Sequence, residues 1–127
     1  MVERKRMTEG TEKFFDVGYK IWLERNGAVL GDGLLKLLSN VHSAGSISRA
    51  ASEMGMSYRA AWGKIKAAEA NLGVSLVVTR VGGEAGGGSK LTPEAEELLK
   101  RFRRLKQEVE RFMLNINTKV FEGWPGP

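Results

Sequence analysis

Ser57, Tyr58, Arg59 and Lys64 lie close together, with no acidic residue among them. They offer a hydroxyl, a phenol, a guanidinium and an ammonium group. These donors suit anionic oxygens and base edges: arginine grips guanine bidentately, and lysine acts as a point charge toward phosphate. Ser46, Ser48 and Arg49 form a second donor cluster upstream, and Arg80 and Lys90 flank a glycine-rich stretch. Catalytic chemistry has little to work with. The single histidine, His42, has no nucleophile or metal-ligand set at useful spacing, and there is no cysteine. His42 is expected to be a structural helix-end residue, and the protein is expected to be neither an enzyme nor a holder of metal or cofactor.

The elements that must position these donors are centred on GSISRAASEMGMSYRAAWGKIKAAEAN, residues 45–71. Ser46 suits an N-cap, and Ile47, Ala50, Ala51 and Met54 follow at helical spacing. Gly55 suits the left-handed exit from that helix. Ser57 opens a second helix, with Ala60, Ala61, Ile65, Ala68 and Leu72 expected on its inner side. Tyr58, Arg59, Lys64 and Lys66 are left for other faces. The small residues permit a close, steep crossing, as a helix-turn-helix requires. In that motif the second helix, 57–72 here, enters the major groove of double-stranded DNA. A plain helical hairpin in a bundle is the rival reading, and a helical protein–protein interaction module without DNA affinity is its functional counterpart.

The bulk numbers agree with a nucleic-acid partner without requiring one. In 127 residues, 20 Lys and Arg against 15 Asp and Glu leave a net charge of +5, a modest attraction toward polyanions. A hydrophobic content of 42% fits a soluble domain. No apolar run approaches membrane-spanning length and no signal-peptide pattern opens the chain, so a cytoplasmic location without membrane contact is the expectation.

Residues 1–13 are charged and aperiodic, with a basic cluster at Arg4, Lys5 and Arg6. They are expected to form a disordered tail, the other reading being an arm on DNA. Tyr19 to Glu24 alternates apolar and polar residues and predicts a strand. Arg25-Asn26-Gly27 predicts a turn, and Ala28 to Leu30 a returning strand. Asp32 is expected to cap a support helix from Leu34 to about His42, with Leu34, Leu35, Leu37, Leu38 and Val41 on one face. Residues 75–80, SLVVTR, predict another strand. Two strands around a tip with five glycines would form a wing, the alternative being a mobile loop. A nucleotide cradle is excluded there, because no Gly-Lys-Ser/Thr occurs. Thr92-Pro93-Glu94 starts a helix expected to reach about Asn117. Leu98, Phe102, Leu105, Val109, Phe112 and Ile116 make a heptad seam, which predicts pairing with the same helix of a second chain. Packing back onto its own domain is the alternative.

Taken together, the motifs resemble the winged helix-turn-helix of LysR-type regulators: Gly-Ser-hydrophobic, Ala-Ala, a Ser-started helix with Ile65 and Glu69, Leu-Gly-Val, Arg80 and Leu-Thr. They resemble the DNA-binding domain of ModE-type molybdate-responsive regulators more closely, through Ser57-Tyr58, Ala61-Trp62 and the glycine-rich wing before Leu91-Thr92. The resemblance covers about residues 18–115. It implies a DNA-binding, dimerising half. Members of that family carry molybdate on further C-terminal domains, and no molybdate site is expected within these 127 residues.

The expected fold is therefore mainly α with a small β component: a winged helix-turn-helix with an N-terminal hairpin and a long C-terminal dimerisation helix. Its divisions are 1–17 (tail), 18–92 (DNA-binding domain), 93–117 (long helix) and 118–127 (irregular tail). The expected function is sequence-specific transcriptional regulation by a homodimer. Arg59 would read bases. Ser57, Tyr58 and Lys64 would hold phosphate or touch a thymine methyl, and Ser46, Ser48 and Arg49 would sit near the adjacent strand. Arg80 and Lys90 would serve the wing. Trp62 has two readings, packing inside or flanking the backbone, and the sequence favours packing.

Overall fold

Two-residue strands open the chain: β1 (Glu3–Arg4) pairs antiparallel with β2 (Gly18–Tyr19). The computed structural model describes residues 3–4, 14–80 and 88–126. The expectations for Lys5, Arg6 and the wing tip at 81–87 lie outside them. The chain divides into two compact units, one of Trp22–Arg101 and one of Met1–Ile21 with Phe102–Pro127.

In the first unit, β3 (Leu23–Arg25) and β4 (Ala28–Leu30) form a hairpin in register Leu23↔Leu30. Asn26 and Gly27, at φ 50° and 78°, give the doubly left-handed turn that matches strand twist. The predicted strand over 19–24 is interrupted at residues 20–22, although exposure still alternates along it as expected. Helix α1 (Asp32–Ala44) buries Leu34, Leu35, Leu37, Leu38 and Val41. Its N-cap is Gly31, in extended conformation and without a side-chain bond, so Asp32 is not the cap. As the first helical residue, Asp32 instead places its charge at the positive end of the helix dipole.

Helix α2 (Ile47–Glu53) buries Ile47, Ala50 and Ala51. Helix α3 (Tyr58–Leu72) buries Ala61, Ile65 and Ala68. Ala60, expected on the inner side, is exposed. It lies on a flank of the helix rather than on the inward stripe, and its methyl gave no directional signal. Strands β5 (Val77–Arg80) and β6 (Gly88–Leu91) pair in register Val77↔Leu91, with Val77 and Leu91 buried. Their ladder is the base of a wing. The arrangement is a winged helix-turn-helix.

Helix α4 (Pro93–Val120) begins in this unit and continues in the other. Its 28 residues span about 42 Å, three residues past the expected end. In the second unit, the segment after α4 has no regular secondary structure, and its rings meet those near the N-terminus. Phe15 stands 4.6 Å from Phe14, 4.8 Å from Phe121 and 5.5 Å from Trp124, centroid to centroid. Buried Asn117 donates through Nδ2 to the Phe15 carbonyl at 2.9 Å. Along α4, Phe102 is 4% exposed in the single chain, whereas Phe112 is 63% exposed. Leu105 and Ile116 are also exposed, and Leu98 and Val109 are half-buried. The heptad seam is thus not uniform: the Phe102 ring is already covered and is not free for a second chain.

Candidate nucleic-acid interface

The turn between α2 and α3 is built by its own backbone. Gly55 takes φ 66°, while the N–H groups of Gly55 and Met56 donate to the carbonyls of Ser52 and Ala51 at 3.1 and 3.0 Å. This pair of bonds closes the C-terminus of α2 and fixes the direction in which the chain leaves it. Both helices are capped as expected. Ser46 Oγ accepts from the Arg49 N–H, and Ser57 Oγ accepts from the Ala60 N–H, each at 3.1 Å. Each hydroxyl retains its own proton for donation outward, so capping does not exclude a phosphate contact.

With Ala61, Ile65 and Ala68 turned inward, the exposed face of α3 carries Arg59, and Tyr58 is 51% exposed. Ser48 and Arg49 are exposed on α2, while Ser46 is half-buried. Lys64 is exposed on the flank opposite Tyr58. There, with Ala28, Leu30, Leu34, Ala67 and Asn71, it borders a cavity of about 330 Å³. Lys64 and Arg59 therefore do not share a face. Trp62 is 44% exposed, so the packed-inside reading fails: the inward stripe is filled without it. His42 is exposed in the last turn of α1.

Two residues outside the expected set anchor the base of the wing, Glu69 from α3 and Thr92 at the start of α4. Glu69 Oε2 accepts the backbone N–H groups of Leu76 at 2.7 Å and Val77 at 3.2 Å, and its Oε1 meets Lys66 Nζ at 3.1 Å. Burial opposes the charge on this carboxyl. The two backbone donors and the Lys66 ammonium together outweigh burial, holding Glu69 below the ordinary carboxylate range. At the far side of the wing base, Thr92 Oγ1 donates to the Ser75 carbonyl at 2.7 Å and accepts from the Ala95 N–H at 3.1 Å. The Ser89 N–H donates to the Gly45 carbonyl at 2.8 Å. A Cβ at Gly88 would come within 3.2 Å of that same oxygen, so glycine is favoured where the wing passes the α1–α2 turn. Lys90 is exposed opposite Val78, and Arg80 is exposed opposite Gly88. No helix among the described residues is long and apolar enough to cross a membrane.

This geometry defines a winged helix-turn-helix of the regulatory kind. Residues 33–96, from α1 into α4, match the model of the bacterial regulatory helix-turn-helix proteins of the lysR family, and the chain belongs to that family. Its members are regulators rather than enzymes. Among curated proteins, the chain is similar to the molybdenum-pterin-binding protein MopB of Rhodobacter capsulatus, at 40% identity over 98 residues. That match spans 77% of this chain and 36% of the relative. It is also similar to the molybdenum transport protein ModE of Herbaspirillum seropedicae, at 42% identity over 77 residues, 61% of this chain and 29% of the relative. The chain thus spans about a third of the length of these curated relatives. Among solved structures, it is similar to the CbnR DNA-binding domain in a crystal structure of its DNA complex. The TM-score is 0.51 at 25% identity, covering 69% of this chain and 95% of that one.

Proposed function

We propose that the chain is a sequence-specific, double-stranded DNA-binding transcriptional regulator of the cytoplasm that acts as a homodimer. The observation that carries the reading is the exposed, Ser57-capped start of α3, with Tyr58 and Arg59 outward on a helix locked to α2 by the Gly55 turn. Arg59 reads a base in the major groove. Ser57 and Tyr58 hold phosphate or a thymine methyl, and Ser46, Ser48 and Arg49 face the strand crossed by α2. Lys64 takes phosphate from the far flank of α3, and Arg80 and Lys90 meet the backbone beside the wing. These roles use side chains that are exposed or, for Ser46, half-buried. The likeness to a domain crystallised on DNA supports the same reading.

Dimerisation is assigned to the exposed part of the α4 seam, Leu105, Phe112 and Ile116, with Leu98 and Val109 at its border. Two copies then present two α3 helices to successive major grooves. The names of MopB and ModE connect those relatives with molybdenum. The reading for this chain is limited to DNA, with no molybdate site in it. Selection of bound duplex from a random pool tests the reading. The expected result is an inverted repeat with half-sites about 10 base pairs apart. A pool without enrichment would overturn it.

A further inference from the structure

Tryptophan has a large apolar surface that folded proteins mostly cover. Trp62 is 44% exposed in the second turn of α3, and Tyr58, one turn earlier on the same strip, is 51% exposed. Side chains four residues apart on a helix are neighbours, so the two rings form one apolar ridge. The ridge has no part in the inward packing, which Ala61, Ile65 and Ala68 supply. It runs along the wing-side flank, the flank from which Glu69 holds the backbone of Leu76 and Val77. Lys66 stands beside it, with Nζ 5.7 Å from the Trp62 ring centroid and 3.1 Å from Glu69 Oε1. The ammonium thus lies between the indole and the Glu69 carboxylate. The indole N–H meets no acceptor among the described residues.

We propose that Trp62 contacts DNA, laying its indole against the deoxyribose-phosphate backbone that borders the groove entered by α3 and donating its N–H to a phosphate oxygen. The inference rests on α3 being the DNA-reading helix. The match is chemical. A duplex backbone presents apolar sugar edges beside anionic oxygens, and an indole has an apolar body with one polar donor. Lys66, beside the ring, offers its ammonium to the same run of phosphates. A contact to sugar and phosphate positions the helix without reading sequence. Trp62 therefore complements Arg59, whose role is to discriminate.

The test titrates the full chain with two labelled duplexes at one salt concentration: a site recovered from a random pool, and an unrelated sequence. Trp62→Ala is expected to lose about tenfold in affinity on both, and Trp62→Phe, which keeps a ring but not the N–H, to recover part of the loss. In a chain carrying Trp22→Phe and Trp124→Phe, Trp62 is the only indole. Saturating unlabelled duplex is expected to shift its emission and shield it from acrylamide. A merely structural tryptophan would show neither change. Trp62→Ala binding both duplexes as tightly as the parent overturns the inference. If that variant fails to fold, emission and quenching of Trp62 unmoved by saturating duplex overturn it instead. A parent chain that binds no duplex ends the DNA reading itself. A parent that binds, with Trp62→Ala unimpaired, ends only the inference about Trp62.

Discussion

The Glu69 carboxylate accepts the Leu76 backbone N–H at 2.7 Å and so ties the last turn of α3 to the start of the wing. The same oxygen takes the Val77 N–H, and the other oxygen takes Lys66. One side chain thereby fixes the angle between two parts of the proposed interface. Its removal would leave two backbone donors unpaired at the edge of the core.

Glu69→Ala is expected to lower stability by about 2 kcal/mol, the scale for losing charge-assisted bonds to partly buried donors. Urea unfolding at neutral pH measures it. The effect depends on pH with a definite sign. The folded carboxyl titrates below its ordinary value of 4.5, so its contribution is present above pH 4.5 and is lost as pH falls through the folded value. The stability gap between the parent and Glu69→Gln should therefore narrow below that pH. A gap constant from pH 7 to pH 3 would contradict the assignment.

Thr92 is 6% exposed, and its hydroxyl both donates to Ser75 and accepts from Ala95. Thr92→Val keeps the shape and loses both bonds, at a cost of about 1–3 kcal/mol. Thr92→Ser keeps the hydroxyl and should cost less. Thermal melts of the two variants separate the hydroxyl from the methyl.

Phe112 and Phe102 should respond differently to charge. Phe112 is 63% exposed, so Phe112→Glu is expected to leave a folded monomer by sedimentation and circular dichroism. Phe102 is 4% exposed, so Phe102→Glu is expected to unfold the chain. A Phe112→Glu chain that remains dimeric would move the interface elsewhere.

Lys90 is exposed on β6. Its proposed contact is to phosphate, so Lys90→Ala should weaken binding to all duplexes alike and reduce the salt slope by about one. An unchanged slope would remove the wing from the interface.

Much of this arrangement is legible in residue spacing. The leucine face of α1, the serine caps of α2 and α3 and the glycine exit at Gly55 are local devices, and each is where the pattern places it. What escapes is what depends on a second element. Glu69 enters the sequence reading only as a motif residue, with no partner assigned, because its partners arrive seven and eight residues later. Trp62 looks like core, because exposure is decided by which residues fill the inward stripe. The heptad on α4 states that one face is apolar, but not that the chain itself covers Phe102 and leaves Phe112 open. The cap of α1 falls on Gly31, one residue before Asp32, because glycine can serve as an N-cap without a side-chain signal.

The central claim is that α3 reads base sequence through Arg59, and paired titrations of the parent and Arg59→Ala test it most directly. On the duplex recovered from a random pool, Arg59→Ala should bind about 10- to 100-fold more weakly, the equivalent of roughly 1–3 kcal/mol. On an unrelated duplex it should lose far less, so that sequence preference collapses. Affinity and preference both unchanged would contradict the account.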